Sequence, residues 1–159
     1  MIMLSPHFSL AELTRSDTAA RYGIDNRPDA AGIEKLRRVC TDILEPVRAQ
    51  FGRPVIVNSG YRSPALNARI PGASNGSQHT LCEAADLEVP GVPNHDVALW
   101  IAGGSLPRGF GQLILENHVP GVPSSGWVHC SLPTARLRGQ VLTMQRVQGR
   151  TVYLKGLVV

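Results

Sequence analysis

The sequence predicts an α+β fold in which N-terminal helices pack on a largely antiparallel β-sheet. Apolar residues at helical spacing dominate the first third of the chain and short β-branched runs dominate the remainder, so that helices come first and strands later, with two short helices among the early strands. The later strands also follow one another through short loops, as neighbours in an antiparallel sheet do. Length supplies the third observation: 159 residues, 43% hydrophobic and 18% charged, make a single domain over residues 1–159 with apolar material for one core and too little charge for disorder. No internal repeat or low-complexity tract interrupts it.

The first helix is predicted over residues 8–13, opened by Ser9 as cap with Glu12 three residues on, a capping box. After a turn at residues 26–28, Asp29 caps a long helix with one face built from Ile33, Leu36, Cys40, Ile43, Leu44 and Val47. Pro46 removes a backbone donor and crowds the preceding turn, so this helix is expected to kink or end near Leu44. Strands are predicted at residues 54–58, 84–89, 111–116, 127–132, 140–147 and 151–157, the last two joined by a turn at Gln148, Gly149 and Arg150. Shorter helices are predicted at residues 63–69, with Pro64 in the first turn, and at residues 94–102, with Asn94 as cap and Gly103 and Gly104 as stop.

Charge is uneven along the chain. The net charge is +4, yet no Asp or Glu follows Glu116, while Arg136, Arg138, Arg146, Arg150 and Lys155 do. That end carries +5 against the chain's +4 and leaves residues 1–116 at −1. Residues 133–159 therefore read as a basic strand or hairpin segment, suited to nucleic acid, to an anionic wall polymer or simply to a solvated face. Tyr153 is the lone stacking aromatic in it, so no nucleic-acid partner is expected. No apolar run approaches the ~20 residues of a membrane span, and the first residues lack the basic start, apolar stretch and cleavage site of a secretion signal. Cys40, Cys82 and Cys130 are an odd number at wide spacing, which fits neither a disulfide framework nor a paired zinc knuckle. The expectation is a reduced monomer, synthesised in the cytoplasm without a signal peptide and without membrane insertion.

Three clusters place ligand-type residues where packing alone is a strained account. His79 follows Ser77 and Gln78 in a polar, glycine-rich loop, and Asp86 stands seven residues on in an otherwise apolar strand, where an unpaired carboxylate loses its hydration. A spacing of seven suits a loop running into a strand better than two turns of one helix, though such pairs also arise by accident. His129, in a later strand, shares a sheet face with Trp127. Together His79, Asp86 and His129 supply two imidazoles and a carboxylate, the ligand number and type of a catalytic zinc with an open fourth position, one ion per chain at the sheet. Cys82 and Cys130 lie close by in sequence and leave a closed structural zinc site with a thiolate as the rival. The third cluster runs from Ser59 to Pro64, where Arg62 is either a surface charge or a fixed guanidinium for a substrate carboxylate or a developing oxyanion.

The series Asn58, Ser59, Gly60, Tyr61, Arg62, Ser63, Pro64, Leu66 and Asn67, then Gly72, Ala73, Ser77, Gln78, His79, Ala84 and Asp86, then Gly126, Trp127, Val128 and His129 resembles the zinc D-alanyl-D-alanine carboxypeptidase family. That family includes D,D-dipeptidases and phage L-alanyl-D-glutamate endolysins, and the likeness covers roughly residues 7–132, nearest to its short phage or prophage-type members. The resemblance implies His79, Asp86 and His129 as zinc ligands, and Arg62, Ser77, Gln78 and Tyr61 at the substrate. It implies hydrolysis of peptide bonds in peptidoglycan stem peptides, of the D,D-carboxypeptidase or the L,D-endopeptidase kind. It also implies action on the cell wall after phage-type release or from within a virion.

Two positions depart from the family pattern. Its usual glycine three residues after the first zinc histidine is Cys82 here, which tightens the loop or sets a thiol beside the metal. Its common acidic base three residues before the last histidine is Gly126 here. The base must then come from elsewhere, and Glu116, at the end of its strand, is expected to be brought toward His129 by antiparallel pairing, with His118 next in line. An ordinary solvated strand-end carboxylate is the plain alternative for Glu116. A zinc-containing protein that binds the cell wall or a phage tail without turnover is the other reading of the missing acid.

Overall fold

Helices open the chain in the computed structural model, which describes residues 1–158. α1 (Leu10–Thr14) starts on the expected capping box, in which Ser9 Oγ accepts from the Glu12 N–H and the Glu12 carboxylate accepts from the Ser9 N–H at 2.8 Å. α2 (Asp17–Tyr22) is an additional helix, capped by Ser16 and stopped by Gly23. With Ala19 its one buried residue, it offers no apolar period to read. α3 (Ala30–Val39) is capped by Asp29, which accepts from the Gly32 N–H at 2.7 Å.

Of the two expected outcomes at Pro46, a kink or an end near Leu44, the end does not occur: the regular α-helix is interrupted up to Leu44 and then resumes. A π turn over Cys40–Leu44 widens the backbone just before it, with the Glu45 N–H reaching the Cys40 carbonyl, and α4 (Glu45–Phe51) carries on to Gly52. The extra residue places the proline in the first turn of α4, where its ring and its missing donor are tolerated.

β1 (Ile56–Ser59), α5 (Pro64–Asn67), β2 (Ala84–Glu88), α6 (Asn94–Ala102), β3 (Gln112–Glu116), β4 (Trp127–Ser131), β5 (Gln140–Val147) and β6 (Arg150–Lys155) follow. The six strands form one sheet in the order β1-β2-β4-β3-β5-β6. All neighbours are antiparallel except β3 and β5, which run parallel. Asn94 is not the cap of α6: no side chain caps that helix, and the Asn94 amide donates instead to the carbonyls of Ser124 at 3.2 Å and Gly126 at 2.7 Å.

The pleat sorts side chains onto two faces. Ala85, Leu87, Leu113, Leu115, Val128 and Cys130 join Leu36, Ile43, Val47, Val97 and Ile101 of the helices in the core. On the opposite face, strand register aligns Asp86 with His129, His129 with Ile114 and Ile114 with Leu142. A second row sets Trp127 beside Glu116 and, one step beyond the Leu115–Thr143 pair, Met144 beside Tyr153. Among the described residues no helix is long and apolar enough to cross a membrane.

Candidate active site

His79 reaches the sheet from the loop before β2. Its Nδ1 lies 2.7 Å from the Gly60 carbonyl, which can only accept, so Nδ1 carries the proton and Nε2 is turned toward Asp86 Oδ1, 3.2 Å away. Gly60 is required for that approach, because a Cβ there would collide with the Leu13 carbonyl at the end of α1. The same carbonyl accepts the Tyr61 N–H at 2.7 Å, so α1 fixes the loop that fixes His79.

Asp86 and His129 are paired across β2 and β4, and His129 Nδ1 lies 3.0 Å from the same Asp86 Oδ1. The other ring nitrogen, Nε2, donates to Gln78 Oε1 at 2.7 Å. Both imidazoles therefore direct their protons outward and turn a bare nitrogen toward one buried carboxylate oxygen. That arrangement is repulsive unless each ring takes a second proton or a cation lies between them. The ligand atoms of the three residues lie within 4.8 Å of one another and all three residues are buried, so the set fits a zinc ion with its second-layer hydrogen bonds already made. Burial alone would push the Asp86 carboxyl up, but the facing His79 and His129, once each ring takes its second proton, outweigh it by charge and hydrogen bonding and hold the group well below the ordinary carboxylate range.

Arg62 stands beside this group, 3.5 Å from Asp86 Oδ2. Its Nε donates to Ser59 Oγ at 3.1 Å and one terminal nitrogen donates to Asn67 Oδ1 at 3.3 Å. The Asn67 amide in turn holds the Ser74 carbonyl at 2.9 Å, which fastens the loop that carries His79. Asn26 completes the frame: its amide donates to Thr14 and Tyr61 carbonyls at 2.8 and 3.0 Å, and its oxygen accepts from the Ser63 N–H at 2.7 Å. Sequence reasoning missed the role of Asn26, since a lone polar residue in a loop looks the same whether it is buried or solvated, and it missed the bonds made by Asn94, whose place at a helix start reads as a cap.

A cleft of about 1030 Å³ opens over the metal-type cluster. Ser77, Gln78 and the preceding loop form one wall, while Asp86, His129, Trp127, Ile114 and Glu116 lie on its floor. Glu116 thus lies in the cleft as expected from strand pairing, level with Trp127. Burial first, and then the Asp86 charge, push its carboxyl up, with His129 and Arg62 opposing.

Other expected residues fall elsewhere. His118 does not line the cleft; its buried ring sits 3.1 Å from Ser125 Oγ and faces His95 at 6.5 Å between centroids. Tyr61 packs against the core instead of lining the cleft. Cys82 adopts φ 60°, the left-handed conformation that glycine takes easily, and its thiol lies against Gly32 of α3, where burial pushes it up to about 11. Cys130 faces the core from the opposite side of β4 to His129. A thiolate zinc site is therefore not built, and His79, Asp86 and His129 form the metal-type cluster found among the described residues.

Residues 6–120 match the family model for Peptidase M15. The chain belongs to the Peptidase M15 family. This is a zinc metallopeptidase family, in agreement with the donor set. His129 lies beyond the matched residues, and the pairing of β2 with β4 sets it opposite Asp86. No curated protein sequence matches the chain.

Proposed function

We propose that this M15 protein hydrolyses peptide bonds in peptidoglycan stem peptides with one zinc held by His79, Asp86 and His129. The observation that carries this reading is the pair of imidazoles converging on one buried carboxylate oxygen at the floor of an open cleft. Bound there, zinc supplies a Lewis acid that polarises the scissile carbonyl and lowers the pKa of water toward about 7. Glu116 takes the proton of the attacking water on its carboxylate and returns it to the leaving amine, a role its raised pKa suits. Arg62 pairs with Asp86 and presents its remaining N–H groups to the developing oxyanion. Ser77 and Gln78 line the loop wall and offer hydrogen-bond partners to the peptide, Gln78 also orienting His129.

Gly126 is compatible with this mechanism because the proton carrier comes from the neighbouring strand, level with Trp127. The basic residues 133–159 suit an anionic wall, reached by phage-type release or from within a virion. The test is metal analysis together with digestion of purified peptidoglycan and mass identification of the released peptides, which also identifies the scissile bond. A zinc-loaded chain that adheres to peptidoglycan and releases no stem peptide would replace hydrolysis by wall or tail binding without turnover.

A further inference from the structure

The β5–β6 hairpin lies beyond the matched residues 6–120, yet it builds a wall of the cleft. Pairing sets Met144 opposite Tyr153 and Arg146 opposite Thr151, and all four line the cleft. Met144 continues the row of Trp127 and Glu116, so the wall begins at the proposed proton carrier. Arg146 stands one strand over and two residues along from Glu116, roughly 8 Å between backbones at ordinary strand spacing.

Two cationic side chains line the cleft among the described residues, Arg62 and Arg146. Arg62 is engaged by Asp86, Ser59 and Asn67. Arg146 is exposed and makes no ion pair among the described residues, and the hairpin itself carries no acidic residue. A planar guanidinium in a cleft, on a wall that also carries Thr151 and Tyr153, matches a carboxylate in both charge and geometry.

We infer that Arg146, with Thr151 and Tyr153, forms a carboxylate-binding subsite that selects peptides bearing an acidic group about two or three residues from the scissile bond. The inference rests on the peptidase reading of the same cleft. The test uses a synthetic stem pentapeptide with its free carboxylates, and counterparts in which each carboxylate in turn is an amide. With the zinc-loaded full chain, one amide is expected to raise KM about tenfold and leave kcat within about twofold, the signature of lost uniform binding. Arg146→Gln is expected to raise KM for the acid peptide by the same factor and to become indifferent to that amide, with Arg146→Lys in between. A wild type indifferent to every amide, or an Arg146→Gln protein that discriminates as well as the wild type, overturns the subsite.

Calorimetric titration of the same peptides into the Glu116→Gln protein, with and without Arg146→Gln, reads binding independently of cleavage. Arg146-dependent preference for the acid peptide without any cleavage by the wild type upholds the subsite and overturns hydrolysis. Cleavage with no carboxylate preference does the reverse. A chain that neither binds nor cleaves any of these peptides overturns both.

Discussion

Placing an acid at Gly126, where the resembled family commonly carries its base, is expected to damage this protein. Gly126 has φ 69°, and any side chain there must accept the left-handed region at about 1–3 kcal/mol. Its Cβ would also run into the Glu116 carbonyl, with the Asn117 backbone 3.0 Å away. Relief requires moving the β3–β4 connection. That movement breaks the 2.7 Å bond from the Asn94 amide to the Gly126 carbonyl and loosens the adjoining Trp127–Glu116 pair, about 1 kcal/mol each. Gly126→Ala is therefore expected to destabilise the fold by about 3–5 kcal/mol, which in a chain of this size lowers Tm by about 6–20 °C. The assay is thermal unfolding of Gly126→Ala and Gly126→Asp by circular dichroism, with peptide hydrolysis measured in parallel. Both variants are expected to lose Tm and neither to gain turnover. Gly126→Ala at the wild-type Tm would refute the steric reasoning, and a stable Gly126→Asp that rescues Glu116→Gln would return the base to position 126.

Glu116→Gln is expected to retain zinc while lowering turnover by about two to four orders of magnitude, whereas His118→Ala, outside the cleft, leaves turnover near wild type. Because Glu116 must be ionised to take a proton, wild-type turnover falls on acidification along a limb displaced above the ordinary value of 4.5 by burial and then by Asp86. An identical limb in residual Glu116→Gln activity counts against the assignment. His79→Ala and His129→Ala are each expected to lose stoichiometric zinc in metal analysis, and a full zinc complement in both refutes the site. In the metal-free protein Asp86 is held below its ordinary 3.8 despite burial, by His79 and His129, so its contribution to stability is present above that pH and is lost as pH falls toward the lowered folded value. Urea unfolding at stepwise lower pH should show this loss in the wild type and a flatter profile in Asp86→Asn; equal profiles in the two proteins refute it.

Local chemistry determined the elements whose stabilising atoms lie within a few residues of one another. The Ser9–Glu12 capping box, the Asp29 cap and the turn at Gln148 and Gly149, both at positive φ, were legible for that reason. Strand alternation likewise put Asp86 and His129 on defined faces before any pairing was known. The metal-type set was legible because a carboxylate in an apolar strand demands a partner. What the sequence could not decide were matters settled by atoms far apart in the chain. Pro46 was absorbed by a π turn because Ile43, Leu44 and Val47 all remain buried in the core on either side of it. Asn94 left its cap for carbonyls some thirty residues away, and Tyr61 turned to the core because Gly60 must lie against Leu13. The parallel pairing of β5 with β3 brought the hairpin to the cleft, and register put Glu116, not position 126, on its floor. Register and pairing minimise the free energy of the whole packed sheet, a sum over contacts that no local stretch of sequence contains.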